Sequence, residues 1–112
     1  MIRLIVLYNL LPNADEEEFL GWRLSEHQDS NLAIEGVVRT DFSRIDEAWP
    51  QGTKSPYRFM TTVDWPDKES FRKGFFHSQV QDDLQENLKK LNEPVFLISE
   101  DLIDQRKEPD VA

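Results

Sequence analysis

The chain has 112 residues, 38% of them hydrophobic, and no cysteine, which sizes it for one modest domain and excludes disulfides and thiolate metal sites. Acidic residues number 22 against 13 basic ones, a formal charge of −9 that repels phosphate backbones and anionic lipid surfaces, so neither nucleic acid nor membrane is an expected partner. The apolar opening MIRLIVLYNLL is half the ~20 residues a membrane span needs and lacks a basic leader, so it reads as a buried strand of a cytoplasmic protein.

That first strand covers residues 2–10, and both of its alternating sets are largely apolar: Ile2, Leu4, Val6 and Tyr8 on one side, Ile5 and Leu7 on the other. A turn follows in which Asn13 or Asp15 can cap a helix, and Glu16 to Glu18 suit the positive end of its dipole. The helix is expected to reach about Asn31. At 100° per residue Leu20, Leu24, His27 and Asn31 share an arc, with Phe19 and Arg23 at its edge, so one of the two histidines faces whatever the helix packs against. A histidine there is either a hydrogen-bonded core residue or an acid/base or ligand-orienting group in a pocket.

Gly36 leads into a second strand, Val37 to Phe42, whose Arg39 and Asp41 suggest either the rim of a contact or polar groups in a pocket. The connection Ser43 to Ser55 is long for a hairpin and carries Trp49, which makes it either a lid over an aromatic ligand or an arm gripping a partner subunit. A third strand, Tyr57 to Trp65, alternates cleanly, with Phe59 and Trp65 on one side. Pro66 and Asp67 then start a second helix, Lys68 to Leu91, with an irregularity around residues 76–79. Pro94 is expected to end the helical region before a fourth strand, about Val95 to Ile103. The fold class is α+β: a ferredoxin-like β-α-β-β-α-β domain over residues 1–103, with a four-stranded antiparallel sheet and a polar, mobile tail at 104–112. Strands 1 and 4 are apolar on both sides, so the outer sheet face needs a cover, and the economical cover is a second copy packed sheet to sheet. A homodimer is expected.

Three features then carry a resemblance over residues 1 to about 103: E-E-F at 17–19 with Trp22 and, eight residues after the Phe, His27; a Gly-led strand at 36–42; and a strand ending in Trp65 before Phe71 and the D-D-L-Q-E-N-L helix. In these the chain resembles the dimeric α/β-barrel superfamily, and within it the EthD-like and REDY (HapK)-like small proteins. The resemblance implies a pocket between sheet and helices with His27 at its wall, used on polycyclic, polyketide-like or pyrrolic compounds without cofactor or metal. Members include monooxygenases, cyclases and proteins assisting condensation steps of pigment biosynthesis. The chain departs from the EthD-like pattern at Arg23, where an aromatic is common, and at Gln28, where a small residue is common. Haem-degrading members need an axial histidine and a tryptophan on the second helix. That helix has no Trp here, and His77 sits where solvent is expected.

The candidate catalytic groups are accordingly His27, Asn31 and Arg39, and the candidate ligand-contacting ones Tyr8, Trp22, Trp49, Phe59, Trp65 and Phe76, with Arg58 a further cation in strand 3. Two functions stay open: a small enzyme of aromatic or pyrrolic secondary metabolism that moves a proton, condenses or cyclises a reactive ring compound, and a non-catalytic dimer that binds and shields one.

Overall fold

The computed structural model describes residues 1–107. Four strands, β1 (Ile2–Leu10), β2 (Arg39–Arg44), β3 (Phe59–Trp65) and β4 (Leu91–Glu100), form one antiparallel sheet in the order β2-β3-β1-β4. Between β1 and β2 runs a helical segment made of α1 (Glu16–Trp22), a π-helical turn (Arg23–His27) and α2 (Gln28–Leu32); between β3 and β4 run α3 (Lys68–Phe75) and α4 (Ser78–Leu88). The result is the ferredoxin-like β-α-β-β-α-β plait, with the helices on one sheet face.

β1 is a central strand of the sheet. It pairs with β3 on one side and β4 on the other, and its even residues Ile2, Leu4, Val6 and Tyr8 are buried beneath the helices. From β3, Phe59, Thr61, Val63 and Trp65 join them, and Phe19 and Phe71 close the core from the helices. Directly paired residues share a face, so Ile5, Leu7, Met60, Val95 and Leu97 lie together on the opposite, outer side. Leu97 there is half exposed.

Helix starts follow the capping chemistry. The Asp15 carboxylate accepts from the N–H groups of Glu17 and Glu18 at 3.0 and 3.2 Å, and that of Asp67 from Ser70 at 2.8 Å. Trp65 is fully buried and donates its Nε1–H to the Glu35 carbonyl at 3.0 Å, pinning the chain that leads into β2 to the end of β3. Gly74 on α3 meets that same carbonyl, and a Cβ at position 74 would overlap it. Gly36 takes φ +80, a left-handed turn that other residues enter at a cost.

Several boundaries differ from expectation. The second helical region is two helices, parted at Phe76-His77, where the exposed His77 caps α4 by accepting the Gln79 N–H on Nδ1 at 3.2 Å. Pro94 does not precede the last strand but sits within it, because β4 is an edge strand and bulges there: Leu7 faces Val95 while Asn9 faces Asn92, and Glu93 takes φ 51. The second strand starts at Arg39 rather than Val37, since Gly36 and its neighbours are spent on the turn. Residues 102–107 form no strand or helix, and residues 108–112 of the expected tail lie outside the described residues. Among the described residues no helix is long and apolar enough to cross a membrane.

Candidate functional site

A cavity of about 120 Å³ lies between the inner sheet face and the helices. Its floor is Leu4, Val6 and Tyr8 of β1 with Thr61, Val63 and Trp65 of β3; one wall is Trp22, Arg23, His27 and Asn31; the other is Phe75 with Asp83, Leu84 and Asn87 of α4. An engineered apolar cavity near 150 Å³ holds benzene, so the space takes roughly one ring, and a larger molecule projects through its mouth.

The π-turn sets the helix wall. Widening the repeat to five residues places Gln28 below Arg23, and the Arg23 guanidinium donates from one terminal nitrogen to Gln28 Oε1 at 2.7 Å and from the other to Thr61 Oγ1 at 3.2 Å. Arg23 is 1% exposed and lies with its guanidinium carbon 4.4 Å from the centre of the Phe42 ring. Among the described residues its Nε–H has no partner. Leu24, expected on the packing face, is instead 63% exposed, because the inward stripe runs through Phe19, Trp22 and Arg23. The 100° arc sets Arg23, with Phe19, only at the edge of the packing face.

His27 stands where it was expected, at the cavity wall. Its ring stacks on Trp22, centroids 4.4 Å apart and planes 22° from parallel, and Nδ1 lies 3.5 Å from Asn87 Nδ2. The imidazole pKa is pushed down to about 4, first by burial, then by the positive charges of Arg23 and Lys90, with Asp83 acting the other way. It is therefore neutral at physiological pH. The Lys90 ammonium sits 3.5 Å from the centre of the Trp22 ring. Tyr8 is buried and its hydroxyl is 3.1 Å from Thr61 Oγ1, the same oxygen that Arg23 reaches; burial raises the phenol pKa and keeps it protonated.

Of the other residues singled out, Asn31, Trp22, Tyr8 and Trp65 line the cavity. Arg39, Trp49, Phe59 and Phe76 do not. Arg39 pairs across the ladder with Asp64 on the outer sheet face and forms an exposed ion pair with Asp41 at 2.9 Å, since alternation on an edge strand turns it away from the helices. Trp49 is 89% exposed in the loop between β2 and β3 and covers nothing in the protomer. Phe59 is fully buried in an aromatic cluster with Tyr8, Phe19 and Phe42, and Phe76 is an exposed ring against Phe71 and Phe75. Arg58 pairs with Glu16 at 3.0 Å at the surface. Arg23, Ser30, Thr61, Asp83 and Asn87 are polar cavity residues absent from the candidates read from the sequence.

No protein-family model and no curated protein matches the chain. Solved structures do. A Bacillus halodurans EthD family protein is 22% identical over 91% of this chain and 99% of its own, with a TM-score of 0.73. HapK from Hahella chejuensis is 19% identical over 97% and 100%, with a TM-score of 0.70. The chain has the ferredoxin-like fold shared by these proteins. SnoaB, a cofactor-independent oxygenase from Streptomyces nogalater, is 9% identical over 95% and 97%, with a TM-score of 0.69. These likenesses extend the fold over nearly the whole chain, and the EthD and HapK structures are of the groups that the residues around His27 and Trp65 resemble.

Proposed function

We propose that the chain is a small enzyme, working without a bound cofactor, that moves a proton on an acidic cyclic compound, aromatic or pyrrolic, held between sheet and helices. The observation that carries this reading is His27: a neutral imidazole, stacked on Trp22, at the wall of a cavity large enough for one ring. An imidazole held near pKa 4 is a weak base, so it suits protons that are already acidic, at a carbon between a carbonyl and an aromatic ring or on a phenol. Asn31 and Asn87 supply neutral hydrogen-bonding groups in the same cavity. The description of SnoaB as a cofactor-independent oxygenase agrees with such chemistry on this fold.

The functional unit we propose is a homodimer packed through the outer sheet face, where Ile5, Leu7, Met60, Val95 and Leu97 form an apolar patch flanked by the Arg3–Asp64 and Arg39–Asp41 ion pairs. The cavity lies on the other face, so each protomer keeps its own.

The chemical reading is tested by deuterium exchange of 2-tetralone in buffered D₂O, followed by NMR. Wild type is expected to accelerate exchange at the benzylic carbon and His27→Gln to fold but not accelerate it. Acceleration by both proteins alike would remove His27 from the proton transfer, and no acceleration by either leaves the non-catalytic, shielding function.

A further inference from the structure

We infer that the cavity is built for a ligand bearing an anionic oxygen, a carboxylate, phenolate or enolate, which the Arg23 guanidinium receives beside the Tyr8 hydroxyl. This deepens the preceding reading and rests on it, since it names the charge of the compound held there.

Arg23 is 1% exposed, yet its hydrogen-bond partners are the neutral oxygens of Gln28 and Thr61. Among the described residues no carboxylate is within ion-pair distance of it: the acidic groups that do form pairs, Glu16, Glu35, Asp41, Asp64, Glu86, Asp101 and Asp104, are all taken by other cations. Asp83 lines the same cavity but acts on His27, not on Arg23. A buried charge normally has a counter-charge, because the cost of leaving water is recovered only by one. Here the charge faces a cavity instead. The guanidinium offers five N–H groups, of which two are engaged and one, on Nε, has no acceptor among the described residues.

The surroundings select for an anion in three ways. On the wall made by Trp22, Arg23 and His27 no acidic residue lines the cavity and Lys90 is a second cation beside Trp22, while Asp83 on the facing helix is the one carboxylate among the described lining residues. Tyr8 and Arg23 are held by one atom, Thr61 Oγ1, which fixes a hydroxyl and a guanidinium next to each other. Phe42 packs on the guanidinium, which excludes water from it. A ring entering beneath Trp22 and His27 with an oxyanion directed at Arg23 meets both a charge-assisted donor and a hydroxyl. The long-range field of a chain with net charge −9 works against capture of anions from solution, so the discrimination is local to the cavity.

The test compares benzoate with benzamide, which share ring and size and differ in charge, read by titration of indole N–H signals in ¹⁵N-labelled full-length protein. Trp22 and Trp65 line the cavity while Trp49 is distant and exposed, so the third signal is an internal control. The expected result is movement of the Trp22 and Trp65 signals, with benzoate saturating at a concentration about tenfold or more below benzamide, the worth of one charge-assisted bond. Arg23→Gln is expected to bring the two ligands within about threefold of each other while Lys90→Gln keeps the preference. If both ligands move the signals equally in wild type, the anion inference is overturned and the cavity reading stands. If neither moves them, both fall. A preference abolished by Lys90→Gln instead of Arg23→Gln also overturns it. Should Arg23→Gln not fold, the wild-type ratio together with Lys90→Gln still decides.

Discussion

Arg23 donates to Gln28 Oε1 at 2.7 Å, a pair five residues apart that an α-helix would hold on different faces and that the π-turn brings into line. These are the two positions at which the sequence departs from the EthD-like pattern it otherwise resembles. The two departures are thus one structural unit: a buried cation and the amide that steadies it. Removal of that cation relieves a desolvated charge, so Arg23→Met is expected to unfold at equal or higher urea concentration than wild type, whereas loss of a core residue of like size would cost about 2–4 kcal/mol. A large loss of stability in Arg23→Met would mean that a protein carboxylate pairs with the guanidinium in solution.

His27 gives the fold a pH dependence of definite sign. The unfolded chain takes a proton on this imidazole at about its ordinary 6.5, while the folded chain refuses it until about 4. Between those values the unfolded state binds more protons, so stability falls as pH is lowered from 6.5 toward 4 and is level in this respect above 6.5. His27→Gln removes this contribution. Urea midpoints at pH 7.5, 5.5 and 4.5 are expected to drop less in His27→Gln than in wild type, and an NMR titration of the wild-type ring is expected to show no midpoint above pH 5. Parallel midpoints in the two proteins would place His27 in water.

Gly74→Ala is expected to destabilise the chain by about 1–3 kcal/mol, because the added methyl overlaps the Glu35 carbonyl and crowds Trp65 Nε1, the two ends of one hydrogen bond. In the mutant the Trp65 indole N–H should exchange with solvent faster. Trp65→Phe, which deletes the donor and keeps most of the ring, is expected to cost about 1–2 kcal/mol through the carbonyl left without that donor.

For the assembly, light scattering at micromolar concentration is expected to return about twice 13.2 kDa for wild type and a single chain for Leu97→Lys, which puts a charge on the outer apolar patch beside Ile5. Wild type at one chain's mass would mean that this sheet face meets water.

Asp15→Ala should lower stability by about 1 kcal/mol, since its carboxylate is the acceptor for two otherwise unpaired N–H groups at the start of α1. Thermal melts followed by circular dichroism check it.

How much of this was legible beforehand follows from which signals are local. Strand 1, the Asp67 cap and the alternation of strand 3 are written in short-range patterns: strand 1 and that cap stand where the patterns put them, Asp15 rather than Asn13 caps the first helix, and the third strand begins at Phe59, two residues after the expected Tyr57. His27 was found because a helical arc predicts a wall even when its centre is off by one residue. Arg23 was missed because uniform 100° spacing knows nothing of a π-turn and because apolar Leu24 looked the better inward residue. Arg39 was left between the rim of a contact and a pocket, and counted among the catalytic candidates, since alternation gives two sides of a strand without saying which one faces the helices; the ladder partner Asp64 decides that, and it lies in a different part of the chain. Trp49 and Phe76 were chosen for being aromatic, and aromaticity alone does not say where a loop or a helix break points.

The π-turn also tells where the wall of the pocket tolerates a change of length. It holds one residue more than a regular helix needs, and Leu24, Ser25 and Glu26, the exposed residues of that turn, line no part of the cavity. Removing one of them would restore the α repeat and set Arg23 and Gln28 four residues apart, on one helix face, with Asn31 still on the inner side. The stretch of the first helical segment that can be shortened is thus the one that touches neither ligand nor core.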